Sequence, residues 1–207
     1  LANFANKQKA KLVHVSTDYV FPGTNFKPYV EDDEVDPQGI YGLTKLKGEQ
    51  AIQSIMVTNA IIIRTSWVYS EYGSNFVKTM LKLGQERDNI NVISDQLGTP
   101  TYAHDLSLMI MTIIQSENFA QAVFKSSLYH FSNEGVCSWY DFSKAIFELA
   151  GIVCRVKPTE TKEYSSLVAR PYLSILNKAE IKNIYSLTIP YWRDSLKQCL
   201  EQLQDKK

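Results

Sequence analysis

The chain has 207 residues, 44% of them apolar and 21% charged, and its formal net charge is zero. That is room for one substantial domain or two small ones sharing a core, and the charge balance argues against a nucleic-acid-binding face or an anionic-membrane partner. The longest apolar runs, AIII at 60–63 and the mixed LMIMTII at 108–114, fall well short of the ~20 residues that span a bilayer. Cys137, Cys154 and Cys199 are odd in number, far apart and without a CxxC, as suits reduced thiols in a cytoplasmic protein. His14, His104 and His130 are scattered too, and no metal site is expected from them.

The first residue is Leu1, and LANFANKQK reads as the end of a helix, so the sequence is expected to begin partway through a longer protein. AKLVHVS (10–16) is a β-branched apolar run, the pattern of a buried parallel strand. A polar loop punctuated by Pro22, Gly23, Pro28 and Pro37 follows. Helical spacing resumes from Ile40 to Met56, with Leu43, Leu46, Ala51, Ile52 and Ile55 as its apolar positions. Next come a strand at 59–66, an amphipathic helix at 74–87, a strand at 91–95 and a helix from His104 to Ser116. LYHFSN reads as a strand, SWYDFSKAIFELAG as a helix ending at Gly151, Val153–Val156 as a strand, and two helices close the chain. This alternation predicts an α/β protein with a mostly parallel sheet.

Two stretches share a Tyr-x-x-x-Lys spacing: YGLTK (Tyr41 to Lys45) and YDFSK (Tyr140 to Lys144). Chance alone supplies roughly one such pair in a chain of this size, so the surroundings must choose. Tyr41 and Lys45 share one face of a helix that follows a strand ending in Ser16, Thr17 and Asp18, and ligands in parallel α/β sheets bind beyond such strand ends. A free phenol titrates near 10, too high for acid–base work at neutral pH, and a neighbouring ammonium favours the phenolate. Tyr140 follows no strand of that kind, and its pair reads as an ordinary amphipathic helix.

STDYVF, PQGIYGLTKLKGEQ, IIIRTSWVYSEYGSNFVKTML, DQLGTPTYAHDL and ARPYLSILN, in that order, resemble the extended short-chain dehydrogenase/reductases, and among them most closely the dTDP-4-dehydrorhamnose reductase family. The resemblance covers essentially the whole chain. It implies a partial Rossmann-like parallel sheet (1–65 and 85–127) with a smaller C-terminal α/β substrate domain (66–84 and 128–207). It also implies reduction of the 4-keto group of dTDP-4-dehydro-6-deoxy-L-mannose to dTDP-L-rhamnose by NADPH or NADH. Carried onto this chain, Thr17 would polarise the sugar carbonyl, Tyr41 would donate the proton to O4, and Lys45 would tune Tyr41 and hold the nicotinamide ribose. Val15 and Ser16 would join Tyr41 and Lys45 at the cofactor. Asp18, Tyr19, Trp67, Asn75 and Arg170 would join Thr17 at the sugar nucleotide. The dTDP-sugar is the partner implied, with no nucleic acid or membrane, and a homodimer is the assembly allowed for.

The family opens with a glycine-rich GxxGxxG loop that holds the cofactor pyrophosphate, and none of the 9 glycines here forms one. The resemblance therefore implies roughly 80–90 further residues ahead of Leu1, about one mononucleotide-binding half. Strand AKLVHVS is expected to show an open edge, and the chain alone is expected to bind dinucleotide poorly and to be inactive. Other readings carry less. EDDE at 31–34 is expected to be a solvated loop, Arg64 a sheet brace paired with a carboxylate, Asp105 a first-turn helix acid, and Trp139, Tyr140, Phe142 and Phe147 core. A related epimerase or dehydratase has the same Tyr–Lys pair, but dehydratases add acids beside the threonine where Tyr19 follows Asp18. A regulatory subunit of the methionine adenosyltransferase β type tends to lack the tryptophan of SWVY. Both are kept as alternatives.

Overall fold

The computed structural model describes residues 1–163 and 170–205. Helix α1 (Ala2–Lys7) leads into β1 (Leu12–Thr17), and one turn of 3-10 helix (Asp18–Val20) carries the chain from that strand into the proline-punctuated loop. Then follow α2 (Ile40–Ile55), β2 (Ala60–Thr65), β3 (Val68–Tyr69), α3 (Phe76–Glu86), β4 (Asn89–Ile93), β5 (Leu97–Gly98) and β6 (Thr101–Tyr102). The remainder is α4 (Ala103–Gln115), α5 (Glu117–Ala120), β7 (Ser127–His130), β8 (Cys137–Ser138), α6 (Trp139–Ala150), β9 (Arg155–Thr159), α7 (Ala179–Tyr185) and α8 (Trp192–Gln204).

The α/β class expected from the alternation is the one that forms. Strands β1, β2 and β7 make a parallel sheet in the order β1-β2-β7. Every residue of β2 is buried, which is why it reads as a continuous apolar run rather than an alternating one. Ala60 and Ile62 face Ile52 and Met56 of α2, whereas Ile61 and Ile63 face Leu106, Met109 and Ile113 of α4. The far edge of β1 pairs with no strand among the described residues.

A second core lies among α3, α6, α8 and the parallel pair β4–β9, with Val77, Phe142, Ile146 and Leu196 at its centre. Helix α6 starts with a reciprocal Ser138–Asp141 capping box, and it ends where its sequence predicts, at Gly151 in the left-handed region (φ 66°). The two cores interleave along the chain. β4 pairs with β9 although it lies in the 85–127 stretch expected with the first sheet, and β7, almost wholly within the 128–207 stretch, joins β2. Strand β9 starts at Arg155 rather than 153, because its register is set by Asn89↔Arg155, and Val153 is left exposed. Pro158 is tolerated there since, among the described residues, β9 pairs on one side only. Two short ladders, β3–β6 and β5–β8, bring residues 66–69, 97–102 and 137–139 to the carboxyl end of the first sheet. No helix among the described residues is long and apolar enough to cross a membrane.

Candidate active site

Strand β1 ends in a hydroxyl and a carboxyl. Thr17 Oγ1 accepts from the Tyr19 amide at 3.2 Å and donates to Asp18 Oδ1 at 3.0 Å, which closes the 3-10 turn directly over the strand end. Helix α2 reaches this turn because of the glycine in YGLTK. A Cβ on Gly42 would fall 2.2 Å from the Tyr19 carbonyl oxygen, so only glycine permits the approach. The Tyr41 ring then meets Tyr19 edge-on at 5.8 Å, with Tyr41 54% exposed and open to a ligand. One turn on, Lys45 Nζ donates to the Val15 carbonyl at 2.6 Å.

Val15, Ser16, Thr17, Asp18, Tyr19, Tyr41 and Lys45 thus line one cleft of about 360 Å³. Thr65, Trp67, Val68 and Trp139 form its other wall. Trp67 has a left-handed backbone (φ 47°) and stacks on Trp139 with ring centroids 3.5 Å apart and planes 10° apart. Gly98 closes on the same ring, where a Cβ would lie 2.7 Å from Trp67. Trp139, expected in the core, is half-buried: it packs against the rim of the second core beside Phe76 and also lines the cleft against Trp67. Phe142 and Phe147 are buried as expected. Trp139 also lines a second cavity of about 420 Å³, together with Phe76, Met80 and Arg170. Ala169, which opens the ARPYLSILN segment, lies outside the described residues.

Two expected site residues are otherwise engaged. The Ser16 hydroxyl donates to Glu49. Asn75 caps α3: its Oδ1 accepts from the Lys78 amide at 3.2 Å and its Nδ2 donates to the Ser70 carbonyl at 2.6 Å, away from the cleft. Arg64 does brace the sheet, through a bidentate pair with buried Glu49 (Nη2 to Oε2 2.8 Å, Nε to Oε1 3.1 Å). Sequence reasoning missed Glu49, although it continues the Tyr41, Lys45 face at the same spacing of four. In the EDDE loop, Glu31 accepts from the His130 amide at 2.9 Å, and Asp33 accepts from the Val30 amide at 2.8 Å. Among the described residues no cluster of His, Cys, Asp and Glu could hold a metal. Asp105 sits in the first turn of α4, as expected, and accepts from Asn133 and Ser195, both at 2.6 Å.

Burial sets the electrostatics. Asp18 is enclosed, and desolvation pushes its carboxyl up to about 7 against the opposing pull of the Ser174 and Thr17 hydroxyls. Asp18 Oδ2 is buried with no hydrogen-bond partner. Burial, and then the Asp18 charge, raise the Tyr19 phenol. Beneath the cleft His130 is brought down to about 3 by burial and by Arg64, so it is neutral. What results is a half-open pocket with a hydroxyl, a phenol, an ammonium and a buried carboxyl at one strand end, facing an aromatic wall.

Comparison with known proteins matches residues 1–205 to the RmlD substrate binding domain family. Spore coat polysaccharide biosynthesis protein SpsK of Bacillus subtilis is 40% identical over 193 residues, which is 93% of this chain and 65% of that protein. dTDP-4-dehydrorhamnose reductase of Sinorhizobium fredii is 39% identical over 199 residues, 94% of this chain and 67% of that enzyme. Among solved structures, dTDP-4-dehydrorhamnose reductase from Bacillus anthracis in complex with NADP matches with a TM-score of 0.89 at 39% identity, over 97% of this chain and 69% of that one. The chain spans about two thirds of the length of these relatives. From the RmlD substrate binding domain match and these identities, the chain belongs to the dTDP-4-dehydrorhamnose reductase family.

Proposed function

We propose that the protein reduces the 4-keto group of dTDP-4-dehydro-6-deoxy-L-mannose to dTDP-L-rhamnose, with NADPH or NADH as the hydride source. The observation that carries this reading is the convergence of Thr17, Tyr41 and Lys45 on one cleft at the carboxyl end of a parallel strand, walled by Trp67. When bound, the nicotinamide supplies the hydride that adds to C4 of the sugar. The Thr17 hydroxyl polarises the 4-keto oxygen, and Tyr41 passes its phenolic proton to that oxygen as the C4–H bond forms. Lys45 steadies the phenolate that remains. One of its three ammonium hydrogens is held by the Val15 carbonyl, leaving two for ribose hydroxyls. Asp18, with its Oδ2 free and a proton shared near neutrality, meets a sugar hydroxyl, while Tyr19 and Trp67 flank the ring. Arg170, exposed at the second cavity, suits the diphosphate.

Val15 and Lys45 fit the nicotinamide-ribose end of the cofactor, since both line the cleft and Val15 is 37% exposed. The Ser16 hydroxyl is held by Glu49, so what Ser16 offers the cofactor is main chain. The reading puts the protein in the cytoplasm, where free cysteines stay reduced. Calorimetric titration of this chain with a dTDP-sugar should show binding, and the full-length protein should consume NADPH only when the keto sugar nucleotide is present. A chain that binds no dTDP-sugar, with a full-length protein that leaves NADPH untouched, would overturn the proposal.

A further inference from the structure

Tyr41, Lys45 and Glu49 stand at i, i+4 and i+8 on α2 and so form one stripe. The stripe runs from open to enclosed: Tyr41 is exposed, Lys45 half-buried, and Glu49 1% exposed. Its two lower members grip successive residues of β1, Lys45 through the Val15 carbonyl and Glu49 through the Ser16 hydroxyl. Glu49 also takes Arg64, which lies directly opposite Ser16 in the β1–β2 register. Arg64 itself has little freedom, since Nη1 donates to the Glu31 carbonyl at 3.3 Å and the guanidinium lies 5.0 Å from the Phe21 ring centre. Two strands and a loop therefore fix one carboxylate at the foot of the stripe whose top carries the Tyr–Lys pair.

Resting on the reductase reading above, we infer that Glu49 and Arg64, with Ser16, are positioning residues that set the rotation and height of α2 over the end of β1, and so the aim of Tyr41 and Lys45. A helix held by apolar contacts alone can slide or turn by a fraction of an ångström at little cost, because those contacts have no direction. A bidentate guanidinium–carboxylate pair does have direction. The helix contributes few other polar anchors at this end: its N-cap, Gly39, makes no side-chain cap.

The test is steady-state kinetics of the full-length protein in which the buried pair is replaced by neutral groups together, Glu49→Gln with Arg64→Met, so that no lone buried charge is left behind. The expected result is a kcat lower by about 10²-fold, as misplacement on the scale of an ångström produces, with the KM for the sugar nucleotide and its calorimetric Kd within about threefold. In a background that already lacks both aimed groups, Tyr41→Phe with Lys45→Ala, the same pair of changes should cost less than about twofold more in residual turnover, because it acts through partners already gone. Two milder variants, Ser16→Ala and Glu49→Asp, should each lower kcat without moving KM, and they serve if the neutral pair does not fold. An unchanged kcat in all these variants, or a full loss repeated in the Tyr41→Phe, Lys45→Ala background, would show that the ion pair braces the fold without aiming the helix. If the wild-type protein turns over no keto sugar nucleotide, the reductase reading fails and this inference with it. An active wild type with indifferent variants overturns the inference alone.

Discussion

Helices α2 and α6 carry the same spacing, a tyrosine with a lysine four residues on, and use it in opposite ways. On α6, Lys144 Nζ lies 5.6 Å above the ring of its own Tyr140, an intrahelical cation–π contact beside a Ser138–Asp141 capping box. On α2 the lysine leaves its helix altogether and donates to the Val15 carbonyl of β1, while Tyr41 turns toward Tyr19 at the strand end. The residue after each tyrosine explains much of the difference. Gly42 lets α2 touch the Tyr19 carbonyl, whereas Asp141 folds back on its own helix terminus. A two-residue spacing is therefore only an orientation on a helix, and it becomes a site where a strand end and a close approach are added.

Exchanging the two tyrosines for phenylalanine tests this contrast most severely. Tyr41→Phe should lower turnover in the full-length protein by about 10³-fold or more while dTDP-sugar binding persists, as loss of the only transferable proton would. Tyr140→Phe should leave both within about twofold; equal losses would erase the distinction between the helices. Next in size, Lys45→Ala is expected to cost about 10²-fold in kcat, and Lys144→Ala nothing measurable, compared by NADPH consumption. Thr17→Ala should fall near Lys45→Ala, about 10²-fold, as one carbonyl donor is removed. Gly42→Ala should push α2 off the turn, with about 1–3 kcal/mol of destabilisation in denaturant melts and a matching loss of turnover.

The smallest effect concerns pH. Asp18 titrates near 3.8 when unfolded and at about 7 when folded. The folded state thus holds the proton more tightly, and stability contributed by protonated Asp18 is present below about pH 4 and lost as pH rises through 7. Between pH 6 and pH 8 the loss is about 1 kcal/mol. Chemical denaturation at the two pH values should show it, and Asp18→Asn should remove that part of the slope.

Much of the fold could be read along the chain because it depends on neighbours in sequence. The apolar run of β2 and the Gly151 stop of α6 each announce themselves within a few residues. What could not be read depends on partners far away. That β4 joins β9 and β7 joins β2 is decided by pairing, for which no local signal exists. The cleft was legible where its residues fall in one ordered pattern, from Thr17 to Lys45. It was not legible at Trp139, whose aromatic neighbours Phe142 and Phe147 are buried while it faces Trp67. The sugar-nucleotide contact expected of Asn75 came from the family resemblance, and locally Asn75 is the N-cap of α3.

The stacked tryptophans have a bearing on cooperativity. Trp67 follows the central strand of the first sheet by two residues, Trp139 begins α6, and both pack against the second core, so the stack joins that core to the carboxyl end of the sheet. A ligand long enough to fill the cleft and the neighbouring cavity at once would touch both sides of that joint. Its binding energy, about 2.7 kcal/mol at a hundredfold excess over Kd, would be shared by the two cores.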